Sequence, residues 1–564
     1  MTSRPDLPES LARSLCNQGH ALQNKGPAHL VDAIGLYRKA LACDPNCAEV
    51  HFALGDIARL LGHPREAVRS YATALVLEPD HVLAETGLIY VFQDLCDWGE
   101  LALLWERARE RIRRTPAPLI PPFAILAMPS SGTEQLAVAR TWATHVVEVV
   151  RSVRDRLGFQ FPRLPKRTLR IGYLSGHFHN MATACLITEL FELHDRTRFA
   201  VHAYSYGPDD GSPIRRRLNR ACDRFVEIGS LDAVAAARRI HADRVDILVD
   251  LMGYLADARP EILALRPAPI HVSYLGYPGT TGAAYMDYVI TDRFVTPPAQ
   301  EPVFTEQCVF LPDCYQVNDR QRPIAETTPT RAECGLPAGT FVFCCFNNPY
   351  KFAPAMFDTW MRLLQAVPAS VLWLLLTTPD AVANLRREAA TRGVTPARLV
   401  FAPRQLVADH LARHRLADLG LDTFPVTGHT TTSDALWAGL PVVTCAGETF
   451  VSRVAGSLLN AIGLPELVTA SLEEYEARAL HLARSPAVLG NLRERLAANR
   501  GTAPLFDTPR STRHLERAYE LMWEHYLRGE PPGRIEVPAL DDPGGRREGQ
   551  DEAGPCWAGV SRAA

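Results

Sequence analysis

The stretch LADLGLDTFPVTGHTTTSDALWAGLPVVT, residues 416–444, decides the predicted fold. The apolar run at residues 416–422 predicts a strand, and residues 425–428 supply a turn. A hydroxyl-rich helix start follows, and the helix is expected to end at Gly439. The apolar run at residues 441–444 predicts the next strand. Strand, turn, helix and strand in this order make one βαβ unit, which is typical of a parallel sheet.

The start of the predicted helix carries a cluster of threonines that includes Thr430 and Thr431. A helix N-terminus presents unpaired backbone N–H groups and the positive end of its dipole, so it favours phosphate. Asp434 lies one turn further on, where a carboxylate can accept hydrogen bonds from a ribose diol. The alternative from the residues alone is a threonine cluster that only caps the helix.

Upstream of this unit, strand patterns alternate with amphipathic segments from Leu169 onward, which predicts a doubly wound parallel sheet over residues 168–325. Amphipathic segments at 184–194 and 231–242 are predicted to be helices between the strands. The predicted strands of this first Rossmann-like domain are 169–175, 199–206, 245–252, 270–275, 287–291 and 307–312.

A polar, proline-containing break at residues 318–332 separates this domain from a second one, predicted over residues 326–528. Two such domains in tandem bind ligands in the cleft between the carboxyl ends of their strands. A final helix at about residues 511–528 is expected to cross back toward the first domain. The predicted strands of the second domain are 341–346, 371–376, 398–402, 416–421 and 441–444.

Residues 14–115 contain an internal repeat. DAIGLYRKALACDP at 32–45 and EAVRSYATALVLEP at 66–79 align at a period of 34, which is typical of tetratricopeptide helix hairpins. Such a stack binds peptides or proteins in its concave face, although a packing or dimerisation spacer fits the same pattern. The remaining segments are predicted to be an N-terminal extension (1–13), a helical connector (116–167) and a disordered tail (529–564).

The composition is that of an ordinary globular protein, with 47% hydrophobic residues and a net charge of −3. No basic run indicates nucleic-acid binding. The 13 cysteines lack paired metal-site spacing and favour a reducing compartment. The start of the sequence shows no signal peptide, and no apolar run approaches the ~20 residues that span a bilayer. We therefore expect a cytoplasmic protein without a membrane span.

Four loops are expected to meet at the cleft. The first, at 175–184, contains His177 and His179, and the second is the glycine-rich GYPGTTG at 276–282. The third follows strand 341–346 and contains Asn347, Asn348 and Lys351, and the fourth is the threonine loop described above. A lysine that faces a helix N-terminus suits an anionic diphosphate, although a solvated surface lysine is the alternative for Lys351 alone. No D-x-D triplet is present to hold a divalent ion, so no metal is expected.

These loops carry motifs that resemble the O-linked N-acetylglucosamine transferase family, in its bacterial SPINDLY-like branch. The tetratricopeptide repeats precede them, as in that family, and the resemblance covers about residues 14–528. The motifs are RIGYLS (170–175), YSYGPDDGS (204–212), LRPAPIHVSYLGYPGTTGAAYMDYVITD (265–292), CCFNNPYK (344–351), LDTFPVTGHTTTSDALWAG (421–439), GETFVSRVAGS (447–457) and LERAYELMWEHY (515–526).

The resemblance implies a GT-B type, inverting glycosyltransferase that needs no metal or other cofactor. It would transfer a sugar, most simply from UDP-GlcNAc, to Ser or Thr of protein acceptors recruited by the repeats. Lys351 would contact the diphosphate and stabilise the departing UDP. The other donor-binding residues implied by the resemblance are Asn348 beside the diphosphate, His410 and Arg413 at the uracil, His429, Thr430 and Thr431 at the phosphate, and Asp434 at the ribose.

The chain departs from the family at several positions. Met181 stands where the family has a histidine proposed to assist the acceptor, and a thioether cannot accept the hydroxyl proton. His177 stands at a common aspartate position, and Val407 replaces a ribose-contacting lysine. We therefore expect His179, assigned here as catalytic, or His177 to take over part of the lost role. Val426 and Thr427 also differ near the sugar.

Three alternatives remain open for the function. A catalytically weak or inactive scaffold would bind nucleotide sugar and peptide, and Met181 favours it. The SPINDLY branch also leaves open a GDP-sugar donor such as GDP-fucose. A sugar-nucleotide epimerase fused to repeats would need acid and base carboxylates that these loops do not supply. The sequence does not identify the acceptor protein or the transferred sugar, and it does not decide whether the protein forms a homodimer.

Overall fold

The computed structural model describes residues 7–540 except 24, 25, 27, 28 and 115–117. Residues 7–114 form three helix hairpins. Tyr37 and Tyr71, which are equivalent in the 34-residue repeat, are fully buried. A Cβ atom added to Gly55 or Gly87 would lie less than 3 Å from the Tyr71 ring, so these glycines let neighbouring helices pack around it. The six helices are α1 (Leu7–Gln23), α2 (Leu30–Cys43), α3 (Ala48–Leu60), α4 (Pro64–Leu77), α5 (Val82–Leu95) and α6 (Leu101–Ile112).

The connector contains a short helix, α7 (Pro122–Leu126), and a long one, α8 (Gly132–Leu157). A capping box fixes the start of α8, because Ser131 Oγ accepts from the Glu134 backbone and the Glu134 carboxylate accepts from the Ser131 backbone. The buried face of α8 packs against the first sheet domain. The connector therefore holds the repeats against the rest of the chain.

The first sheet domain has eight parallel strands in the order β14-β7-β6-β5-β4-β1-β2-β3. The strands predicted from the sequence are all present, with ends that shift by three residues at most. Its elements are β1 (Leu169–Ser175), α9 (Ala182–Leu193), β2 (Phe199–Ser205), α10 (Pro213–Ala221), β3 (Arg224–Glu227), α11 (Ala233–Ala242), β4 (Ile247–Asp250), α12 (Pro260–Ala264), β5 (Ile270–Ser273), β6 (Tyr288–Asp292) and β7 (Gln307–Leu311), completed by β14 (Ile535–Glu536).

The second sheet domain has six parallel strands in the order β10-β9-β8-β11-β12-β13. The predicted βαβ unit at residues 416–444 lies in its centre. The strands and helices of this domain are β8 (Phe341–Cys345), α13 (Pro354–Ala366), β9 (Ser370–Leu375), α14 (Pro379–Thr391), β10 (Leu399–Ala402), α15 (Val407–Arg413), β11 (Leu419–Leu421), α16 (Thr430–Trp437), β12 (Val442–Cys445), α17 (Val454–Ala461), β13 (Val468–Thr469), α18 (Leu472–Arg484), α19 (Pro486–Asn499) and α20 (Thr508–Arg528).

Two predicted boundaries are wrong. The N-terminal extension was predicted to run to residue 13, but α1 already begins at Leu7. The disordered tail was predicted from Gly529, but β14 pairs with β7 through Ile535 opposite Val309. Ile535 and Val537 are buried and supply the apolar contacts that a composition-based prediction overlooks. The rest of the predicted extension and tail, residues 1–6 and 541–564, lies outside the described part of the chain.

Helix α20 returns to the first domain, as predicted, and packs against α9. Tyr519 on α20 is fully buried, and its hydroxyl lies 3.1 Å from the hydroxyl of Tyr173 on β1. Over residues 7–540, apart from the seven omitted positions, no helix combines the length and apolarity of a membrane span.

Candidate functional site

Lys351 lies in a short turn, Pro349–Lys351, that follows the carboxyl end of β8. Its Nζ donates to the backbone oxygen of Thr427 at 3.0 Å and to Asn347 Oδ1 at 3.3 Å. Burial lowers the pKa of Lys351 to about 8, and the carboxylate of Asp422 opposes this shift. The ammonium group is therefore still charged at neutral pH, and it is held against the loop that leads into α16.

Asp422, directly after β11, is hydrogen-bonded both to Asn347, which follows β8, and to the loop that leads into α16. Its Oδ1 accepts from the backbone N–H of Gly428 at 2.7 Å and from Asn347 Nδ2 at 3.1 Å. Its Oδ2 accepts from the Thr444 hydroxyl at 2.7 Å. Burial raises the pKa of this carboxyl group. We call Asn347, Lys351, Asp422 and residues 427–431 the lysine pocket. The sequence analysis did not assign Asp422, although an Asp at a strand end is a signal that could have found it.

The N-terminus of α16 faces this pocket through His429, Thr430 and Thr431. No side chain caps the helix, so the structure does not support the alternative that these threonines only cap it. In the described part of the chain, neither the Thr430 nor the Thr431 hydroxyl has a hydrogen-bond partner, and both side chains are partly exposed. His429 Nε2 is buried without a partner. Burial and then the charge of Lys351 lower the pKa of His429 to about 3, so the ring is neutral.

His410 and Arg413 lie on α15, the helix that connects β10 to β11. Because a guanidinium group only donates, its contact with His410 makes Nδ1 the acceptor and leaves the ring proton on Nε2. Burial lowers the pKa of His410 to about 2, and the ring is neutral. Arg413 is itself 1% exposed and donates to the backbone oxygen of Pro403 at 2.6 Å. Its guanidinium lies over the ring of Phe346, so it orients His410 from behind.

Asp434, one turn into α16, has a partner that the sequence analysis missed. The side chain of Arg322, from the linker between the domains, donates to Asp434 Oδ1. The pair lies close to Cys185 on α9, and both charges influence the pKa of that thiol. No strand or helix pattern surrounds Arg322 in the sequence, so nothing there predicted this contact.

A cleft of about 650 Å³ opens beside the lysine pocket. The repeats, the connector and both sheet domains contribute to its walls. Asn348 lies in it, exposed, and accepts from Arg404 at 3.3 Å. We call it the aromatic cleft, because its lining includes the rings of Phe52, Tyr90, Phe123, Trp142, Tyr254 and Tyr350.

The aromatic cleft also receives His177 and Met181 from the loop after β1. Met181 is 38% exposed. His179 is not among the lining residues, and its Nδ1 lies 3.9 Å from Asp210. Burial and then the neighbouring His179 lower the pKa of His177, so its ring is neutral at neutral pH. His177, rather than His179, therefore lines the same cleft as the exposed Asn348.

The glycine-rich loop at 276–282 lies next to the aromatic cleft described above, because the hydroxyl of Tyr254 in the cleft wall donates to the Thr281 backbone oxygen at 2.7 Å. A Cβ atom added to Gly282, which has φ +63°, would lie 2.5 Å from the backbone nitrogen of Arg140 on α8. A Cβ atom added to Gly276 would lie 1.9 Å from the backbone oxygen of Leu251. These glycines allow close packing of the chain against itself, and not against a ligand.

The repeats contact the turn of Lys351 directly. The ring of Tyr90 on α5 stacks on that of Tyr350 at a centroid distance of 6.2 Å. The thiol of Cys96 donates to the backbone oxygen of Pro349 at 3.8 Å. Asn384 on α14 donates to the backbone oxygen of Leu95 at 2.9 Å. The last repeat hairpin thus supports the segment that carries the lysine.

Comparisons with known proteins agree with this arrangement. Residues 95–329 and 321–515 match Glycosyl transferase family 41, and residues 48–81 match a tetratricopeptide repeat. A probable UDP-N-acetylglucosamine–peptide N-acetylglucosaminyltransferase, SEC of Arabidopsis thaliana, is 37% identical over 80% of this chain and 48% of its own length. The SPINDLY protein of Solanum lycopersicum is 34% identical over 66% of this chain and 40% of its own length.

The chain thus spans about half the length of the curated relatives that it matches. Among solved structures, a mutant O-GlcNAc transferase of Thermobaculum terrenum superposes with a TM-score of 0.74 at 29% identity. The match covers 94% of this chain and all of that one. These findings confirm the predicted tetratricopeptide repeats and the pair of Rossmann-like domains.

Proposed function

The chain belongs to glycosyl transferase family 41, and from this membership we propose that it is an inverting protein O-glycosyltransferase that uses UDP-GlcNAc. The relatives named above as peptide N-acetylglucosaminyltransferases support the donor and the kind of acceptor. The observation that carries the proposal is the position of Lys351 Nζ, 3.0 Å from the Thr427 oxygen, in the loop that begins α16. A fixed cation and a helix N-terminus there suit a diphosphate leaving group.

In the proposed reaction, a Ser or Thr oxygen of the acceptor attacks the anomeric carbon of the sugar from the side opposite the diphosphate. The bond between that carbon and the phosphate oxygen breaks, and its electron pair leaves with UDP. Lys351 and the N–H groups of residues 430 and 431 stabilise the charge that develops on that oxygen. Because these groups already supply positive charge, the reaction is proposed to need no metal or cofactor.

When the hydroxyl of the acceptor protein attacks, its proton must pass to a general base. Met181 has no basic atom, so we assign this role to the neutral ring of His177, which lines the aromatic cleft beside Asn348. The sequence analysis assigned it to His179, and that residue remains the alternative. His179 Nδ1 lies 3.9 Å from Asp210, and the residue is outside the lining of the aromatic cleft.

The remaining donor contacts follow from the site geometry. His410 Nε2, which carries the ring proton, is proposed to donate to a uracil oxygen, and Arg413 acts on the base through His410. His429 is proposed to contact the diphosphate through its unpartnered Nε2. Asp434 is proposed to accept from the ribose. Val426 is buried among apolar side chains from both domains, so it shapes the loop near the sugar.

Protein acceptors are proposed to reach the aromatic cleft by way of the repeats. The cleft continues onto α3 and α5, so a bound segment would contact repeat residues and His177 together. A homodimer, a cytoplasmic location and the absence of nucleic-acid partners stay predictions from the sequence.

A second candidate function is a scaffold that binds nucleotide sugar and peptide without efficient transfer. Met181 in the lining of the cleft favours it, because a thioether cannot accept the hydroxyl proton. Donor binding would be normal in such a protein, and only the chemical step would be lost. A transferase that uses GDP-fucose or another nucleotide sugar is the third candidate.

The test is UDP release by the purified protein from UDP-GlcNAc, with and without a lysate of its own cells, beside Lys351→Ala. Release that needs the lysate and disappears in K351A is the expected result. Donor binding without release under either condition would instead establish the scaffold. If UDP-GlcNAc does not bind, GDP-fucose and other nucleotide sugars are the next donors to assay. An unchanged rate after removal of divalent ions by EDTA would support the metal-independent reaction.

A further inference from the structure

The ion pair between Arg322 and Asp434 joins the interdomain linker to the helix that begins at the lysine pocket. Asp434 lies one turn into α16, on the same helix as Thr430 and Thr431. The Arg322 side chain is 4% exposed and that of Asp434 is 15% exposed. This ion pair is therefore largely buried, and every N–H and oxygen in it needs a hydrogen-bond partner.

The pair is incompletely satisfied. Arg322 Nη1 donates to Asp434 Oδ1, and Nε donates to the backbone oxygen of Asp319 at 3.2 Å. Nη2 is buried and has no partner in the structure as described. Asp434 Oδ2 accepts no hydrogen bond from any described residue. A guanidinium group is a rigid planar fork, so the free Nη2 lies beside the Asp434 carboxylate. Asp434 Oδ2 is therefore the atom of the pair that a ligand can reach, because the Asp434 side chain is partly exposed and Arg322 Nη2 is buried.

The linker holds this guanidinium in place. Trp437 Nε1 donates to the backbone oxygen of Arg322 at 3.2 Å, and Ser433 donates to Asn318. Asp319 in turn accepts from Arg217 on α10 at 2.7 Å. These contacts fix both ends of the segment that carries Arg322 against α16 and the first domain. The Arg322 side chain is itself held by its bonds to Asp434 and to the Asp319 backbone, so it fixes the orientation of the Asp434 carboxylate.

We propose that Arg322 is a positioning residue for the donor: its ion pair orients the Asp434 carboxylate so that the free Oδ2 accepts from the vicinal diol of the nucleotide ribose. This inference rests on the proposed use of a nucleotide sugar. The ribose hydroxyls would donate to Asp434 Oδ2, and Arg322 would hold the carboxylate through Oδ1 without touching the ribose. Because Asp434 already neutralises the guanidinium charge, the pair suits a neutral diol better than a phosphate. Lys351 and the start of α16 supply the positive charge for the phosphates.

The proposal predicts a loss of affinity that depends on the ribose hydroxyls. Titration calorimetry would compare UDP with its 2′,3′-dideoxy analogue on the wild type and on Arg322→Met. A hydrogen bond to a charged group contributes about 1.5–3 kcal/mol, so R322M should bind UDP about 10- to 100-fold more weakly. Its affinity for the dideoxy analogue should equal that of the wild type. An equal loss for both ligands, or no loss for either, would overturn the proposal.

Two further variants keep the test specific. Arg320→Met removes an arginine two positions away that binds Glu189 instead, and it should leave the affinity for UDP unchanged. Lys351→Met should weaken both ligands equally, because both carry the diphosphate. If thermal unfolding shows that R322M does not fold, Arg322→Lys retains the charge and loses the fork, and it should show the same dependence on the ribose. A wild type that binds neither ligand would refute the proposed donor class itself.

Discussion

The lysine pocket and the aromatic cleft lie side by side and are built in opposite ways. The pocket comes from one sheet domain, and its central carboxylate, Asp422, is 2% exposed and accepts three hydrogen bonds from residues of that domain. The cleft is assembled from the repeats, the connector and both sheet domains, and its mouth carries an exposed methionine. The pocket is rigid before any ligand arrives, whereas the cleft is an open surface of rings.

This difference separates two demands on the proposed reaction. A leaving diphosphate is the same in every turnover, so a fixed set of charges can stabilise it without reorganisation. Protein acceptors differ from one another, and aromatic walls accept varied segments through apolar contact. Substitutions in the pocket should therefore change the chemical step, and substitutions in the cleft should change the choice of acceptor.

The strongest way to sharpen this comparison is Lys351→Met, because removal of one group that stabilises transition-state charge costs about 10²- to 10³-fold in rate. We expect kcat to fall by that amount while the KM for the acceptor stays within a factor of two or so. Steady-state transfer assays at saturating donor measure both constants. A rise in acceptor KM with unchanged kcat would contradict the separation of pocket and cleft.

His177→Gln comes next, because general bases contribute about 10²-fold or more to rate. We expect kcat to fall by roughly 10²-fold, since the glutamine can donate and accept but does not take up the proton. His179→Gln is the matched control, two residues away in the same loop, and should lose less than about 3-fold. The opposite ranking of the two variants would return the role to His179, as the sequence analysis assigned it.

The pH dependence should show the titration of Lys351, whose pKa burial lowers to about 8. The active form of Lys351 is protonated, so kcat/KM should fall about ten-fold for each pH unit above this pKa, and it should also fall in acid as the proposed base, His177, becomes protonated. Lys351→Arg tests the assignment, because a guanidinium stays charged over this range. The residual activity of this variant should no longer fall at alkaline pH. If Lys351→Arg still lost activity at alkaline pH, the loss would belong to a group other than Lys351.

The smallest expected effect belongs to Tyr90→Ala, in the wall of the aromatic cleft. Loss of the stacking with Tyr350 should raise the acceptor KM about 5- to 10-fold, as the loss of an aromatic contact of about 1–1.5 kcal/mol does. Hydrolysis of UDP-GlcNAc in the absence of acceptor should stay unchanged. If that hydrolysis also falls, the repeats position the turn of Lys351 as well as the acceptor. Tyr90→Phe retains the ring and serves as the control.

Much of the fold followed from the sequence because its signals are local. Continuous apolar strands such as 169–175 have both faces buried, and the structure reproduces that strand without a shift. Strand β3 was missed because two of its four residues are exposed and charged, which removes the apolar run. Strand β14 was missed because its two residues are stabilised by contact with β7 and not by their own composition.

The candidate site divides in the same way. Lys351 and Thr430 were found because they stand at strand and helix ends within a recognisable motif. Asp422 and Arg322 were missed, because burial and a partner on another element give them their roles, and neither is visible along the chain. His179 was preferred over His177 for a related reason. Of two residues that alternate along a loop, the one that faces the cleft is decided by the elements on the other side of the cleft.

Strand β14 also sets an order of events during synthesis. The first sheet domain uses β14 as its outer strand, beside β7, yet Ile535 follows Leu311 by roughly 220 residues, or about 10–40 s of translation. Until then the edge of β7 is unpaired, and an unpaired strand edge invites pairing with other chains. The nascent chain must carry this open edge while the second domain emerges, so this interval is when a chaperone would be most useful.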